Sequence, residues 1–195
     1  MNPIMPGATQ LPASTNGGPM VGGTPRVVWH TTESAPGTLK GVSAWLTEQQ
    51  TWSHLGWDPS TGETVQYIPA DMAARALVHN TGDPETNRQG SACIQIETVG
   101  YAAQPFTSRP MIGLNTIMAW LDTFSIPRVG PAAGRMGWST WAAYNGHCGH
   151  INVPGNTHVD PGGIDYSALF DTQTQPAPVA VQEDDMLYLA QGPTS

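Results

Sequence analysis

A chain of 195 residues suits one domain of ordinary size with some length to spare, and it can bury a hydrophobic core without disulfide staples. A net charge of −8 with only 11% charged residues excludes the basic face that nucleic-acid phosphates require. With 22 Gly and 18 Pro beside a hydrophobic fraction of 39%, the composition is that of a loop-rich globular protein rather than a helix bundle.

No stretch approaches the ~18–20 apolar residues of a membrane span. The first residues lack the basic start and apolar run of a signal peptide. The expectation is a protein made in a cytoplasm, with no membrane insertion. Cys93 and Cys148 both sit in apolar segments and read as buried free thiols, because two cysteines are too few for a disulfide framework.

In chain order, residues 1–24 have no hydrophobic period and many breakers, and read as an extended N-terminal arm. Arg26–Trp29 is a short apolar run suited to a buried strand, and His30 ends it, where strands of α/β proteins deliver ligands. Thr38–Trp52 places Leu39, Val42, Trp45, Leu46 and Gln49 near one stripe of an amphipathic helix. Ser53–Trp57 and Thr64–Ile68 flank a Pro- and Gly-containing turn and form a hairpin, with His54 a structural histidine. The Ala-rich segment after Pro69 is expected to be a short helix, and His79–Gly90 a long loop. Ser91–Val99 alternates and is β-branched, which predicts a central strand with Glu97 at its far end: a surface residue or a catalytic base. Pro110–Ser125 has the clearest helical period, and Pro127 stops it. Val129–Trp141 reads as loop, with Trp138, Trp141 and Tyr144 as packing residues or a sugar-stacking wall. From Thr172 the composition is that of a linker.

The stretch Gly146–Asp165 concentrates three histidines, one cysteine and two aspartates among Gly, Pro and Asn. Imidazole and carboxylate suit zinc, which in catalytic sites takes three protein ligands and leaves a fourth position open. His150 and Asp160 are too far apart for one helical turn, so they read as two ends of a Pro/Gly-fixed loop, with a third ligand from elsewhere.

Four segments, W-H-T-T-E-S from Trp29, V-Q-Y-I-P-A-D from Val65, C-I-Q-I-E from Cys93 and G-H-I-N-V-P-G-N-T-H-V-D-P-G from Gly149, resemble a known family. It is the zinc-dependent N-acetylmuramoyl-L-alanine amidases of the type-2 amidase and peptidoglycan-recognition-protein superfamily. The likeness spans residues 26–170 and is strongest to endolysins of phages that infect actinobacteria.

The resemblance implies an α/β fold, a central mixed β-sheet flanked by helices with a zinc site at one edge. The domain plan is then an arm at 1–24, a catalytic domain at 25–171, and a linker and tail at 172–195. His30, His150 and Asp160 become the zinc ligands, Glu97 the general base and His158 the oxyanion donor. His158 stands where relatives often carry Lys, and the alternative is that it displaces Asp160 as a ligand. A catalytic Tyr found in another branch falls here at Ser53, which cannot do that work. Asn152 replaces the acid usual after the G-H pair. Trp138, Trp141, His79 and Asn80 are the candidate substrate-binding residues. The implied protein is a monomer that acts on peptidoglycan in the bacterial wall, reaching it from the host cytoplasm after holin-mediated release. The competing readings are a non-catalytic peptidoglycan-recognition module, a cytosolic muropeptide-recycling amidase, and a two-carboxylate glycosidase using Glu97 and Asp160.

Overall fold

The computed structural model describes residues 1–132 and 134–171, so the predicted linker and tail at 172–195 lie outside the described residues. Six strands form one mixed sheet: β1 (Thr9–Gln10), β2 (Arg26–Thr31), β3 (Leu55–Trp57), β4 (Thr64–Gln66), β5 (Cys93–Thr98) and β6 (Gly146–Gly149). Their order is β1-β4-β3-β5-β2-β6. The β3–β4 pair is antiparallel, as the predicted hairpin requires, and the other four pairings are parallel. At the centre β2 and β5 are buried along their whole length, which explains their continuous apolar reading.

Alternation along the strands divides the core. Val27 and Trp29 of β2, Ile94 and Ile96 of β5 and Leu55 and Trp57 of β3 pack on one face with α2 (Leu114–Asp122) and Leu169 of α4 (Tyr166–Phe170). On the opposite face Val28, Cys93 and Cys148 meet Trp141 of α3 (Trp138–Ala143). Farther along that face α1 (Leu39–Gln49) buries Leu39, Ser43 and Leu46, a stripe at helical spacing. Gly56 allows this approach. A Cβ there would fall 2.6 Å from the Tyr67 hydroxyl and 2.8 Å from Leu39 Cδ1. Helices on both faces of a mixed sheet make the α/β architecture expected from the sequence.

Three local expectations change. The Ala-rich segment is not helical, because Ala70, Ala73, Ala74 and Leu77 are all buried and the chain runs extended against the arm. There Gly17 N–H donates to Ala73 O at 2.7 Å and Ala73 N–H to Gly18 O at 2.9 Å. The Val129–Trp141 segment is loop only up to Gly137, since Trp138 opens α3. The predicted 110–125 helix begins at Leu114, behind a left-handed Gly113 with φ 82°. The arm does lie on the domain: β1 pairs with β4, and Leu11 N–H donates to Gln66 O at 2.9 Å. Both cysteines are free and buried.

Candidate metal centre

His30 and Glu97 sit directly opposite each other in the β2–β5 register, on the face that α1 covers, at the C-terminal ends of the two central strands. His150 follows β6 in a 3₁₀ turn, His150–Asn152. Asp160 returns from the Pro/Gly loop, and Ile151 N–H bonds to Asp160 O at 2.8 Å, closing the loop on itself. Arg135 clamps that loop from outside. Its guanidinium donates to Val153 O at 2.6 Å, Asn156 Oδ1 at 2.8 Å and His158 O at 2.8 Å. Gly149 leaves room for Pro161, whose Cδ would lie 2.6 Å from an added Cβ.

The three side chains predicted as ligands converge, and all are buried. Asp160 lies between the two imidazoles, with His30 Nδ1 3.4 Å from Oδ2 and His150 Nδ1 3.3 Å from Oδ1. These separations are long for charge-assisted hydrogen bonds, but ligand atoms ~2.1 Å from one tetrahedral zinc stand about 3.4 Å apart. The donor set and spacing therefore fit a zinc-sized cation. His30 Nε2 and His150 Nε2 are buried without a hydrogen-bond partner among the described residues. Asn152 does not supply one: its Oδ1 accepts Gly149 N–H at 2.9 Å and its Nδ2 donates to Gly134 O at 2.8 Å. The amide thus shapes the turn, where an acid would be placed to orient a ligand.

Electrostatics follow from burial opposite shared anions. Burial depresses His30, but Glu97 at 3.8 Å and Asp160 outweigh it and leave its pKa above the ordinary value. Burial, reinforced by His30, holds His150 down to about 4. Burial raises Asp160, and the hydrogen bonds and charges of His150 and His30 reverse this, leaving its carboxyl well below the usual range. Burial lifts Glu97 to about 7, opposed by His30 and helped by Asp160 and Glu33. A carboxyl poised near neutrality is matched to taking and returning a proton. His158 Nδ1 lies 3.2 Å from Asp160 Oδ1, and its ring stacks on His150 with centroids 4.1 Å apart.

All five residues line a cavity of about 910 Å³. The expected substrate-binding residues do not. Trp141 is 1% exposed and packs under the guanidinium of Arg26 at 4.6 Å, so it cannot stack on a sugar. Trp138 is half-buried against Gly155. His79 faces Glu85 at 3.7 Å and Asn80 donates to Asp83 at 3.0 Å, both outside the lining. The aromatic residue at the cavity is Trp45 of α1, 56% exposed, with Val78 and Val159 also at the rim. Leu39, Ser43 and Leu46 form the buried face of that helix. Trp45 is turned from Leu46 by about 100°, which takes it off that face and to the cavity edge. The period that locates the helix puts Trp45 on the stripe with Leu39 and Leu46; the buried stripe is Leu39, Ser43 and Leu46, and Trp45 stands beside it.

This arrangement, a mixed sheet with helices on both faces, is the type-2 amidase fold. Among solved structures, AmpD resembles the chain with a TM-score of 0.53 and 18% identity, covering 87% of this chain and 96% of that one. The hydrolase AmiA of Staphylococcus aureus, determined with its ligand, gives 0.52 and 13% over 81% and 74%. The endolysin N-acetylmuramoyl-L-alanine amidase LysCS of Clostridium intestinale gives 0.50 and 13% over 85% and 94%. No protein-family model matches the chain, and no curated protein matches its sequence. At these identities the likeness is one of fold.

Proposed function

We propose that this protein is a zinc-dependent peptidoglycan hydrolase that cleaves the amide between N-acetylmuramic acid and L-alanine, acting as a monomeric phage endolysin. The observation that carries the reading is the convergence of His30, His150 and Asp160 beside Glu97 on the wall of one open cavity. LysCS, which shares the fold, is an endolysin amidase; the endolysin role, with release from the host cytoplasm to the wall, is part of the proposal.

His30, His150 and Asp160 would hold the zinc, which supplies Lewis acidity toward the attacked carbonyl and the water beside it. Glu97 takes a proton from the attacking water and returns it to the departing amine. The water oxygen bonds to the lactyl carbon as the C–N bond breaks, leaving a lactyl carboxylate and a free L-alanine amine. His158, half-exposed at the cavity wall, donates an N–H to the developing oxyanion. Ser53 takes no part: it is buried, and its hydroxyl donates to Leu55 O at 3.0 Å.

The test is digestion of purified actinobacterial peptidoglycan by the zinc-loaded protein, with and without a chelator, read by mass spectrometry. The expected products carry new L-alanine amino termini and vanish on chelation. New reducing sugar ends would make it a glycosidase, and binding without cleavage would make it a recognition module.

A further inference from the structure

Every Lys and Arg of the chain, seven in all, has a place outside the cavity lining. Arg26 is buried under Trp141. Arg75 donates to Gln50 O and Arg88 to Pro19 O, while Arg109 bonds Gln104 and Arg128 bonds Asp122. Arg135 holds three acceptors of the Pro/Gly loop with its guanidinium. Lys40 is exposed on α1, outside the lining.

Apart from the histidines of the centre, what faces the cavity is acidic, hydroxylic or apolar. Asp160 and Glu97 belong to the centre, and Thr31, Thr32, Ser34 and Thr38 add hydroxyls. Glu33 is left over: it is not among the converging His30, His150 and Asp160, and it touches the proton step only through the charge that helps raise Glu97. Its backbone has φ 51°, a left-handed conformation that a non-glycine residue keeps only where contacts fix it. Those contacts are on one oxygen: Thr31 Oγ1 donates to Oε1 at 2.7 Å and Ala102 N–H at 2.8 Å. Oε2 is left without a protein donor among the described residues.

We propose that Glu33 is a specificity-determining residue, selecting peptidoglycan stem peptides whose carboxyl groups are capped as primary carboxamides over those with free carboxylates. The proposal rests on the amidase reading and names its substrate class. A carboxamide N–H₂ donates to Glu33, whereas a carboxylate meets a like charge there, and outside the metal centre the lining offers no Lys or Arg to offset it.

The experiment uses the zinc-loaded full chain and two muramoyl tripeptides that differ only in whether the carboxyls beyond L-alanine are free or amidated. The amidated form is expected to have a kcat/KM higher by up to about tenfold, mostly through KM, since Glu33 is exposed and like charges near solvent repel on that scale. Added salt narrows the gap by helping the acid form alone. Glu33→Gln narrows it through the acid form too, as does Val78→Lys, which places a cation at the rim. Equal handling of the two peptides overturns the proposal and leaves the amidase reading standing, and a gap that neither salt nor Glu33→Gln alters also overturns it. Cleavage of neither form overturns the amidase reading, and calorimetric binding of both peptides then tests Glu33 by itself.

Discussion

Four of the six histidines are buried, and their surroundings divide them into two pairs. His54 is enclosed by backbone: its Nδ1 accepts Gln95 N–H at 2.9 Å and its Nε2 donates to Met72 O at 2.9 Å. His147 is enclosed by rings, with its Nδ1 accepting the Trp29 indole N–H at 3.3 Å and Phe170 edge-on at 5.1 Å. Burial holds these two imidazoles down to about 4 and about 3, so both are neutral packing groups. His30 and His150 are as buried, but each turns Nδ1 toward the same carboxylate. Burial alone silences a histidine; burial of two around one carboxylate makes a seat for a cation.

The comparison breaks most visibly if His150→Ala keeps its metal. That variant is expected to lose more than about 100-fold in zinc affinity by calorimetry and to lose hydrolysis, beyond what loss of a supporting contact would cost. Its chelator-treated melting temperature should move little. Glu97→Gln sharpens the picture from the other side, with zinc affinity kept and kcat falling about 10³-fold, within the range for a lost general base.

The packing pair predicts an effect on stability. His54 is held down to about 4 from an ordinary 6.5, so the unfolded chain takes up its proton first. Stability from this group is complete above 6.5 and is lost as the pH falls from 6.5 toward 4, on the order of 3 kcal/mol in all. Urea unfolding at stepped pH measures it, and a flat profile across that window would contradict the assignment. His158→Ala is expected to lower kcat about 10²-fold with zinc retained, as for one lost oxyanion donor. Loss of metal in that variant would move His158 into the ligand set.

Much of this is legible in the chain because it depends on local pattern. The apolar run before His30, the alternation before Glu97 and the spacing within Gly149–Gly162 each place a residue at the end of a strand or a loop, and the structure brings those ends together. The misreadings share one cause, since burial is set by partners distant in sequence. Trp141 looks like a stacking surface until Arg26, far away in the chain, lies over its ring. Ala70–Leu77 has helical composition, yet the arm pairs with it and draws it out straight. Val42, Trp45 and Leu46 adjoin on a helical wheel and all three line the cavity, but only the position of the sheet buries Leu46 and leaves Trp45 56% exposed. Glu33 has a legible identity, three residues after His30, but its left-handed backbone and the Ala102 contact have no local signature.

The two-residue strand β1 closes one end of the sheet, and at the other end His147 N–H of β6 bonds to Val129 O at 2.9 Å. An uncovered strand is a template on which another polypeptide can grow a sheet. Here segments of the same chain lie on both flanks: β1 along β4, and Val129 on β6 through one hydrogen bond, so each flank presents a shorter free row than the bare strand would. Trimming the arm would reopen the β4 flank, and the cost would show first as aggregation rather than as a damaged centre.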